Sequence, residues 1–491
     1  MAPLKICYAS AELAPFAQTG GLADVSTALC RYLHGAGHDV RPFLPLYSGS
    51  GHASRGLEPV DNVRDVEVVL GDSYRFSLLC ARPEPAGPEI FFVHCPALYD
   101  RDGLYTQAGD EHRRFLMLTR AVIESCQRMG WAPDVFHCND WHTALVPIYL
   151  RTLYAWDRLF AGSRTLLGLH NVGYQGIFPA AVLADTGLAD SAHLFHQDDL
   201  SAGRINFMKT GLLYADGLST VSPTHAQEIQ TDTHGMGLQD IVRARRASLV
   251  GILNGVDYSE WDPRTDRHLR HHYSAQNLAG KERNKQALLA GMALPYDRTA
   301  PVIGVVSRLM VQKGIDLMLE VLPGLLVQAD IALVVLGSGD GRYEHAFAAL
   351  QRRFPRKLCF YRGFHTPLSH LIEAGSDFFL MPSLYEPCGL NQMYSLRYGT
   401  VPIVRRTGGL ADSVEPFDPR TGNGTGIVFN DYDASALRWA LRTALALFSD
   451  RRRWRRLQRN GMARDFSWER QGAQYVELYL RLADRPIRAT G

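Results

Sequence analysis

The chain has 491 residues, of which 46% are hydrophobic and 21% are charged, and these values exclude a disordered or fibrous protein. Its 52 Lys and Arg residues nearly balance 50 Asp and Glu residues, so the net charge of +2 argues against a nucleic-acid partner. The first ten residues hold one short apolar stretch, soon followed by Glu12 and Pro15, which predicts neither a signal peptide nor a membrane anchor. The length predicts two to three domains, and we expect two.

Short apolar runs alternate with segments of helical period along nearly the whole chain, a pattern typical of parallel sheets covered by helices. In the first half, this pattern predicts strands at residues 4–10, 40–44, 134–137, 165–170, 218–221 and 249–253. Leu22, Val25, Leu29 and Leu33 mark the buried face of a helix after the first strand. Strands follow one another closely over residues 64–95, which predicts an inserted meander.

The chain turns polar over residues 254–283, and we place the boundary between two lobes at residue 254. Strands of a second α/β series are predicted at residues 301–306, 331–336, 358–361, 377–381 and 401–404. The predicted fold is therefore α/β, with an N-terminal lobe over 1–253 and a C-terminal lobe over 254–467. Aromatic and leucine residues at helical spacing predict a last helix over about 468–485, packed back on the first lobe.

One hexapeptide, Thr-Gly-Gly-Leu-Ala-Asp, occurs twice, at residues 19–24 and 407–412, each time between a predicted strand and a predicted helix. Glycine amides at a helix start can approach an anion closely, so two such loops facing each other would hold a diphosphate. An ordinary helix-start turn is the alternative. The sequence is not G-x-G-x-x-G and the second strand does not end on an acid, which disfavours NAD.

Two cations, Arg308 and Lys313, follow a predicted strand of the second lobe. Arg supplies a planar fork and Lys a point charge, so the pair is suited to neutralise a diphosphate, although a solvated loop would also carry such charges. Glu386 follows another strand and would bind sugar or ribose hydroxyls, unless it is an ordinary surface carboxylate. The N–H groups of residues 388–390 are expected to face the same crevice.

In the first lobe, residues 137–142 and 170–171 contain histidine, asparagine and aspartate at predicted strand ends. A metal site is one interpretation, but ligand spacing such as H-E-x-x-H is missing, and hydrogen bonding to a sugar is favoured. Arginines surround Trp454 over residues 451–456, which would suit nucleic acid, but a solvated helix face or an acidic neighbour fits the near-neutral charge better. Eight scattered cysteines are expected to be free thiols of a cytoplasmic protein.

Together these motifs resemble the bacterial glycogen synthases, which are related to plant starch synthases and belong to glycosyltransferase family 5. The resemblance covers residues 4 to about 479 and is weakest over about 49–82. Its anchors are residues 19–24, 139–142, 170–171, 174–176, 253–257, 307–308, 312–314, 386–390 and 405–412. As a set they are highly specific, whereas any one of them is not.

The resemblance implies a GT-B fold, in which two Rossmann-like, doubly wound lobes face a central cleft. It implies that Arg308 and Lys313 neutralise the diphosphate of ADP-glucose. Other implied contacts to this donor come from Gly20, Gly21, Asp24, Glu386, Cys388, Gly389, Leu390 and Thr407. It further implies that Asp140, His170 and Asn254 contact the transferred glucose.

Three positions depart from related patterns. Gln18 stands where the family usually has Lys, and an amide cannot offset phosphate charge. Phe364 stands where the family often has Tyr beside the adenine, so stacking is kept and the hydroxyl is lost. Many related retaining transferases carry a second Glu eight residues after the first. Tyr394 occupies that position here, which favours the glycogen synthase branch over the UDP-sugar enzymes.

We therefore expect an enzyme that transfers glucose from ADP-glucose to the nonreducing end of an α-1,4-glucan such as glycogen, with retention of configuration. We expect it to need neither a cofactor nor a metal ion. Two alternatives stay open: a UDP-sugar transferase, and a glucan-binding or nucleotide-sugar-binding relative that has lost catalysis, for which Gln18 is the support.

Overall fold

The structure, a computed structural model, describes residues 3–48, 56–106 and 108–484. The chain divides into two compact units. One unit contains residues up to Val221, the stretch Ala226–Gly255 and the residues from Trp468 onward, and the other contains Ser222–His225 and Val256–Ser467. The predicted boundary at residue 254 is next to the break after Gly255. The short segment Ser222–His225 was not predicted to group with the second unit. Residues 1, 2, 49–55, 107 and 485 of the predicted ranges lie outside the described residues.

The first unit contains twelve of the strands that the structure describes. They are β1 (Lys5–Ala9), β2 (Asp39–Pro45), β3 (Glu58–Pro59), β4 (Val66–Leu70), β5 (Asp72–Ala81), β6 (Ile90–His94), β7 (Val135–Asn139), β8 (Arg164–Leu169), β9 (Ile177–Pro179), β10 (Arg204–Asn206), β11 (Gly217–Thr220) and β12 (Leu249–Gly251). The helices up to residue 244 are α1 (Gly21–Gly35), α2 (Pro96–Tyr99), α3 (Glu111–Arg128), α4 (Val146–Arg151), α5 (Gln197–Ser201), α6 (Phe207–Tyr214), α7 (Pro223–Glu228) and α8 (Gln239–Ala244).

The remaining elements follow in chain order. Strands of the second unit are β13 (Val302–Val306), β14 (Ala332–Gly337), β15 (Leu358–Arg362), β16 (Phe378–Met381), β17 (Val401–Arg405) and β18 (Ile427–Phe429). Its helices are α9 (Ala279–Gly291), α10 (Ile315–Gln328), α11 (Gly341–Arg353), α12 (Thr366–Gly375), α13 (Asn391–Arg397), α14 (Gly408–Ser413), α15 (Ala434–Ser449) and α16 (Arg451–Met462). The last helix, α17 (Trp468–Ala483), belongs to the first unit.

Each unit is built on one large sheet. The first sheet has the order β12-β11-β8-β7-β1-β2-β6-β5-β3, with β4 paired to β5. Strands from β12 to β6 are parallel. The meander predicted over residues 64–95 contains β4, β5 and β6, in which β5 pairs antiparallel with both neighbours, and β3 also pairs antiparallel with β5. The second sheet is entirely parallel in the order β15-β14-β13-β16-β17-β18, which is the doubly wound 3-2-1-4-5-6 order of a Rossmann fold.

Alternate side chains of each central strand enter the cores on the two faces of its sheet. In β1, Cys7 and Ala9 belong to one core of the first unit, whereas Ile6 and Tyr8 belong to the other. Helix α17 contributes buried aromatic and leucine side chains to the Tyr8 face, each worth about 1.5–3 kcal/mol of burial. The predicted last helix is therefore part of this core.

One helix begins where an irregular stretch was expected. The inward-facing residues of α9 include Lys281, Asn284 and Lys285, all of which are buried. Lys281 Nζ donates to the carbonyl oxygens of Glu373 and Ala374, and Lys285 Nζ lies 2.8 Å from a carboxylate oxygen of Asp377. Because its buried face carries polar groups, this helix lacks the apolar period on which the sequence analysis depended.

Candidate active site

Several of the predicted site residues follow the strands that flank the switch point of each sheet, where successive crossovers leave in opposite directions. In the first unit this point lies between β1 and β7, and in the second between β13 and β16. Loops at the carboxyl ends of such strands form the ligand crevice of open α/β sheets. Gln18 and Gly20 follow β1, Asp140 follows β7, Arg308 follows β13 and Glu386 follows β16. Each unit thus places one group of candidate residues at one crevice.

A buried carboxylate that the sequence analysis did not select, that of Glu12, fixes the loop after β1. It accepts hydrogen bonds from Thr19 N at 2.7 Å, Thr19 Oγ1 at 2.6 Å, Gly20 N at 3.3 Å and the Tyr105 hydroxyl at 2.7 Å. Glu12 is 4% exposed. Two amides of the first hexapeptide are therefore directed at the protein's own anion. The signal in the sequence that could have identified Glu12 was an acidic residue shortly after a buried strand.

In the same loop, the space beside Gly20 is open. A Cβ added to Gly20 would meet no heavy atom within 4 Å. The N–H groups of Gly21 and Leu22 start α1 and have no hydrogen-bond partner among the described residues.

Gln18 Nε2 donates to Asp24 Oδ1 at 3.0 Å, and burial raises the pKa of Asp24 to about 6 against the opposing effect of this hydrogen bond. The neutral amide of Gln18 thus partners an acid whose charge burial disfavours.

Asp140 adopts a left-handed backbone conformation, with φ 53°, directly after β7. Its Oδ1 accepts the backbone N–H of His170 at 2.7 Å and that of Asn171 at 3.3 Å. Burial raises the pKa of Asp140 to about 7, although these two donors favour the charged form. Burial also lowers the pKa of His170 to about 4, so its imidazole is neutral at physiological pH. The predicted neighbours Asp140 and His170 therefore lie together at the ends of β7 and β8.

Asn254, also predicted to contact sugar, is 5% exposed, and its Oδ1 has no hydrogen-bond partner in the described part of the chain. An unpaired buried amide oxygen is costly unless a ligand or water satisfies it. This position is therefore suited to receive a donor group from a ligand.

In the second unit, Arg308 and Lys313 have different environments. Arg308 is exposed, and its guanidinium forms neither a hydrogen bond nor an ion pair with any residue that the structure describes. Lys313 Nζ lies 2.6 Å from Glu386 Oε2, which also accepts the Ser383 hydroxyl at 3.1 Å. Lys313 and Glu386 therefore neutralise each other, and Arg308 is the uncompensated cation of the pair that we predicted.

Glycine at position 314 allows this geometry. Its φ is 69°, and a Cβ there would lie 2.1 Å from the carbonyl oxygen of Pro382. The turn that carries Lys313 thus packs backbone against backbone with the loop that carries Glu386.

The loop before α13 contains the predicted amide donors. Gly389 has φ 73°, and the N–H groups of Gly389 and Leu390 have no hydrogen-bond partner among residues 3–48, 56–106 and 108–484. Cys388, by contrast, is 4% exposed. Phe364 follows β15 and is 75% exposed, so its ring is available for stacking. Thr407 follows β17 and is 1% exposed, so its side chain is inside the unit.

The two copies of the hexapeptide have identical sequences but lie in different environments. Gly408 has φ 42°, and a Cβ there would lie 2.0 Å from the carbonyl oxygen of Glu386. Gly409 N donates to the carbonyl oxygens of Glu386 and Pro387, both at 3.1 Å. Asp412 accepts two hydrogen bonds from Thr224, whereas Asp24 in the first copy accepts one from Gln18. The two copies therefore differ in what they contact, because the second copy packs against the Glu386 loop. That both loops hold a diphosphate stays a prediction.

Packing also determines the environments of Tyr394 and Trp454. Tyr394 stacks on Trp261 with ring centroids 3.9 Å apart, and His370 stacks on the same ring at 3.7 Å. Trp454 is 2% exposed inside the second core, so it does not share the surface of α16 with the arginines, and the interleaved surface that would suit nucleic acid does not form.

Within the described ranges, three or more His, Cys, Asp or Glu residues nowhere gather in a metal-holding arrangement. Over the same ranges, none of the helices combines the length and the apolar character needed to cross a membrane. All eight cysteines are free.

Comparisons with known proteins agree on one family. Residues 5–244 match the family described as starch synthase catalytic domain, and residues 293–461 match glycosyl transferases group 1. A glycogen synthase of Koribacter versatilis is 45% identical over 97% of this chain and 98% of its own length. A glycogen synthase of Anaeromyxobacter dehalogenans is also 45% identical, over 98% of this chain and 100% of its own length.

Solved structures lead to the same family. The catalytic domain of starch synthase IV from Arabidopsis thaliana, bound to ADP and acarbose, is 34% identical and superposes with a TM-score of 0.91 over 99% of this chain and 100% of that domain. Sucrose-phosphate synthase from Thermosynechococcus elongatus, at 18% identity and a TM-score of 0.62 over 97% of this chain and 98% of its own, shares the fold alone. By full-length identity and fold, this chain belongs to the glycogen and starch synthase family of GT-B glycosyltransferases.

Proposed function

We propose that this chain transfers glucose from ADP-glucose to the nonreducing 4-hydroxyl of an α-1,4-glucan, with retention of the anomeric configuration. Relatives named glycogen synthase, aligned over nearly the full length, support this proposal, as does a similar structure that holds ADP and acarbose. The structural observation that carries it is the exposed guanidinium of Arg308 at the switch point of the second sheet, without an acidic partner among the described residues.

Breaking the bond between glucose and phosphate leaves negative charge on the departing ADP. Arg308 offers a planar fork of N–H donors to that charge. Lys313 is already paired with Glu386, so its net contribution is smaller and Arg308 supplies the larger part. The unpaired N–H groups of Gly389 and Leu390 would add fixed dipoles of the right sign. Preorganised donors of this kind are effective because they need not reorient during the reaction.

The other assignments follow the family resemblance, position by position. We assign Asp140, His170 and Asn254 to the transferred glucose, because their polar atoms lie at strand ends or lack a partner. We assign donor contacts to Gln18, Gly20, Gly21, Asp24, Phe364, Cys388 and Thr407. The buried side chain of Thr407 limits its contribution to the backbone in this conformation. We propose a reaction that requires no metal ion, which activity retained in a chelator would support.

An ADP-release assay with glycogen as acceptor tests the proposal directly. Turnover with ADP-glucose well above that with UDP-glucose is the expected result. The reverse preference would identify a UDP-sugar transferase. A lack of turnover with either donor, from protein that binds glycogen or ADP, would identify a relative that has lost catalysis.

The substitution Arg308→Ala tests the residue on which the proposal depends. We expect turnover to fall on the order of 100-fold or more, the usual effect of removing a charge-stabilising donor. Arg452→Ala is the matched control, since Arg452 is an exposed arginine of the same unit on α16. Near-normal turnover of Arg308→Ala, with the control also unchanged, would remove Arg308 from this role.

A further inference from the structure

Asn139, the last residue of β7, forms a hydrogen bond with the candidate site histidine. Asn139 Oδ1 lies 2.8 Å from His170 Nε2. Asn139 ends β7, and His170 directly follows β8, the parallel strand next to it. Asn139 is fully buried. His170 is partly exposed, and its Nδ1 has no hydrogen-bond partner in the described part of the chain. One nitrogen of the imidazole is thus held by the protein, and the other is available to a ligand.

The orientation of the Asn139 amide follows from its other partners. Asn139 Nδ2 donates to the carbonyl oxygen of Ala9 at 2.9 Å, and this oxygen can only accept. A flipped amide would place two acceptors against each other. The Tyr8 hydroxyl donates to Asn139 Oδ1 at 3.2 Å, which agrees with the same orientation. The oxygen of Asn139 therefore faces His170.

A carbonyl-type oxygen cannot donate, so the hydrogen bond requires the proton on His170 Nε2. Because burial keeps the ring neutral, Nδ1 then carries a lone pair. A neutral histidine in this tautomer accepts a hydrogen bond from a ligand hydroxyl through Nδ1. It cannot donate to a ligand oxygen through the same atom.

The residues packed around Asn139 and His170 restrict both side chains to the orientations described above. A Cβ added to Gly168 would lie 3.3 Å from Asn139 Oδ1, 3.4 Å from His170 Nε2 and 3.0 Å from His137 Nε2. His137 is held in turn by the Tyr479 hydroxyl of α17, 2.8 Å from its Nδ1. Glycine at position 168 thus leaves the space in which the polar atoms of three side chains converge.

We propose that Asn139 is a positioning residue that fixes the proton of His170 on Nε2 and so presents Nδ1 as an acceptor to a hydroxyl of the transferred sugar. The identity of the sugar rests on the proposed function, whereas the tautomer rests on the contacts of Asn139 alone. The titratable groups facing His170 are Asp140, through its backbone contact, and the buried His137 and His142. Burial lowers the pKa of both these histidines to about 3, so they are neutral at neutral pH.

Nitrogen NMR of histidine-labelled protein tests the tautomer without any substrate. The variant His170→Gln identifies the His170 signals by their loss. We expect a protonated Nε2 and a lone-pair Nδ1 in the wild-type protein at neutral pH. A proton on Nδ1 would overturn the proposal, and this spectrum decides the matter even if no Asn139 variant folds.

Variants then separate positioning from simple support of the fold. Asn139→Ala should mix the two tautomers of His170 and lower kcat/KM roughly 10–100-fold, as loss of an outer-shell partner does at metal-bound histidines. Asn139→Asp keeps an acceptor and should keep the proton on Nε2. Tyr8→Phe is the matched control, because it removes the other donor to Asn139 Oδ1 and should leave the tautomer unchanged.

An unchanged His170 tautomer in folded Asn139→Ala would overturn the proposal. Failure of the proposed function would appear separately, as a lack of ADP release from wild-type protein whose histidine spectrum is the expected one.

Discussion

The two copies of the hexapeptide permit one substitution to be compared in two environments. In Gly408→Ala, the new residue must adopt φ 42°, which costs about 1–2 kcal/mol for a residue with a Cβ. Its Cβ would also lie 2.0 Å from the carbonyl oxygen of Glu386, and relief of such crowding costs about 1–3 kcal/mol. The sum, roughly 2–5 kcal/mol, corresponds to a fall in Tm of roughly 4–20 °C for a unit of this size.

Gly20→Ala should behave differently, because its Cβ meets no atom within 4 Å and its φ of −163° is ordinary extended backbone. Loss of glycine at this helix cap costs at most about 1 kcal/mol. If the diphosphate approaches this loop, the methyl group should raise the KM for ADP-glucose with little change in Tm.

Thermal unfolding followed by circular dichroism, together with the ADP-release assay, measures both effects. Gly324→Ala in α10 is the control for the second unit, since its Cβ also meets open space, and it should stabilise the unit by about 0.5–1 kcal/mol. Equal falls in Tm for Gly20→Ala and Gly408→Ala would refute the assignment of different roles to the two copies. So would an unchanged Tm for Gly408→Ala.

Two further predictions concern charge at the first unit's crevice. Gln18→Lys should tighten ADP binding by about 1 kcal/mol, or roughly fivefold, since an ammonium group offsets phosphate charge. An unchanged or weaker Kd by calorimetry would contradict this. Asp140→Asn should stabilise the protein by up to a few kcal/mol above about pH 7 and lower its turnover. Folding raises the pKa of Asp140 from 3.8 to about 7, so the folded protein keeps a proton that the unfolded chain releases, and the carboxyl lowers stability increasingly as pH rises between these values. The advantage of the variant in Tm should therefore shrink as pH falls from about 7 toward 4, and an advantage independent of pH would show that the charge is not its cause.

Much of the fold could be predicted because strand and helix periods are local properties of the chain. The apolar runs predicted β1, β2, β7, β8, β11 and β12 of the first sheet and all but the last strand of the second. Strand β18, with three residues, is too short to show a period, and the buried lysines of α9 concealed a helix. The family motifs located Arg308, Lys313 and Glu386, because many motifs that match the family can be recognised from the sequence alone.

The sequence by itself determined the two α/β series, the position of the boundary between them and the family, because these depend on local patterns of residues. Only the tertiary structure decided what each candidate residue contacts. It separated the open Gly20 from the packed Gly408 in identical hexapeptides and paired Lys313 with Glu386. It also placed Glu12, which the sequence analysis did not select, against the loop after β1, and Asn139 against His170. The physical reason is that such contacts join residues far apart in the chain, and their energies depend on distances and burial that no local pattern records.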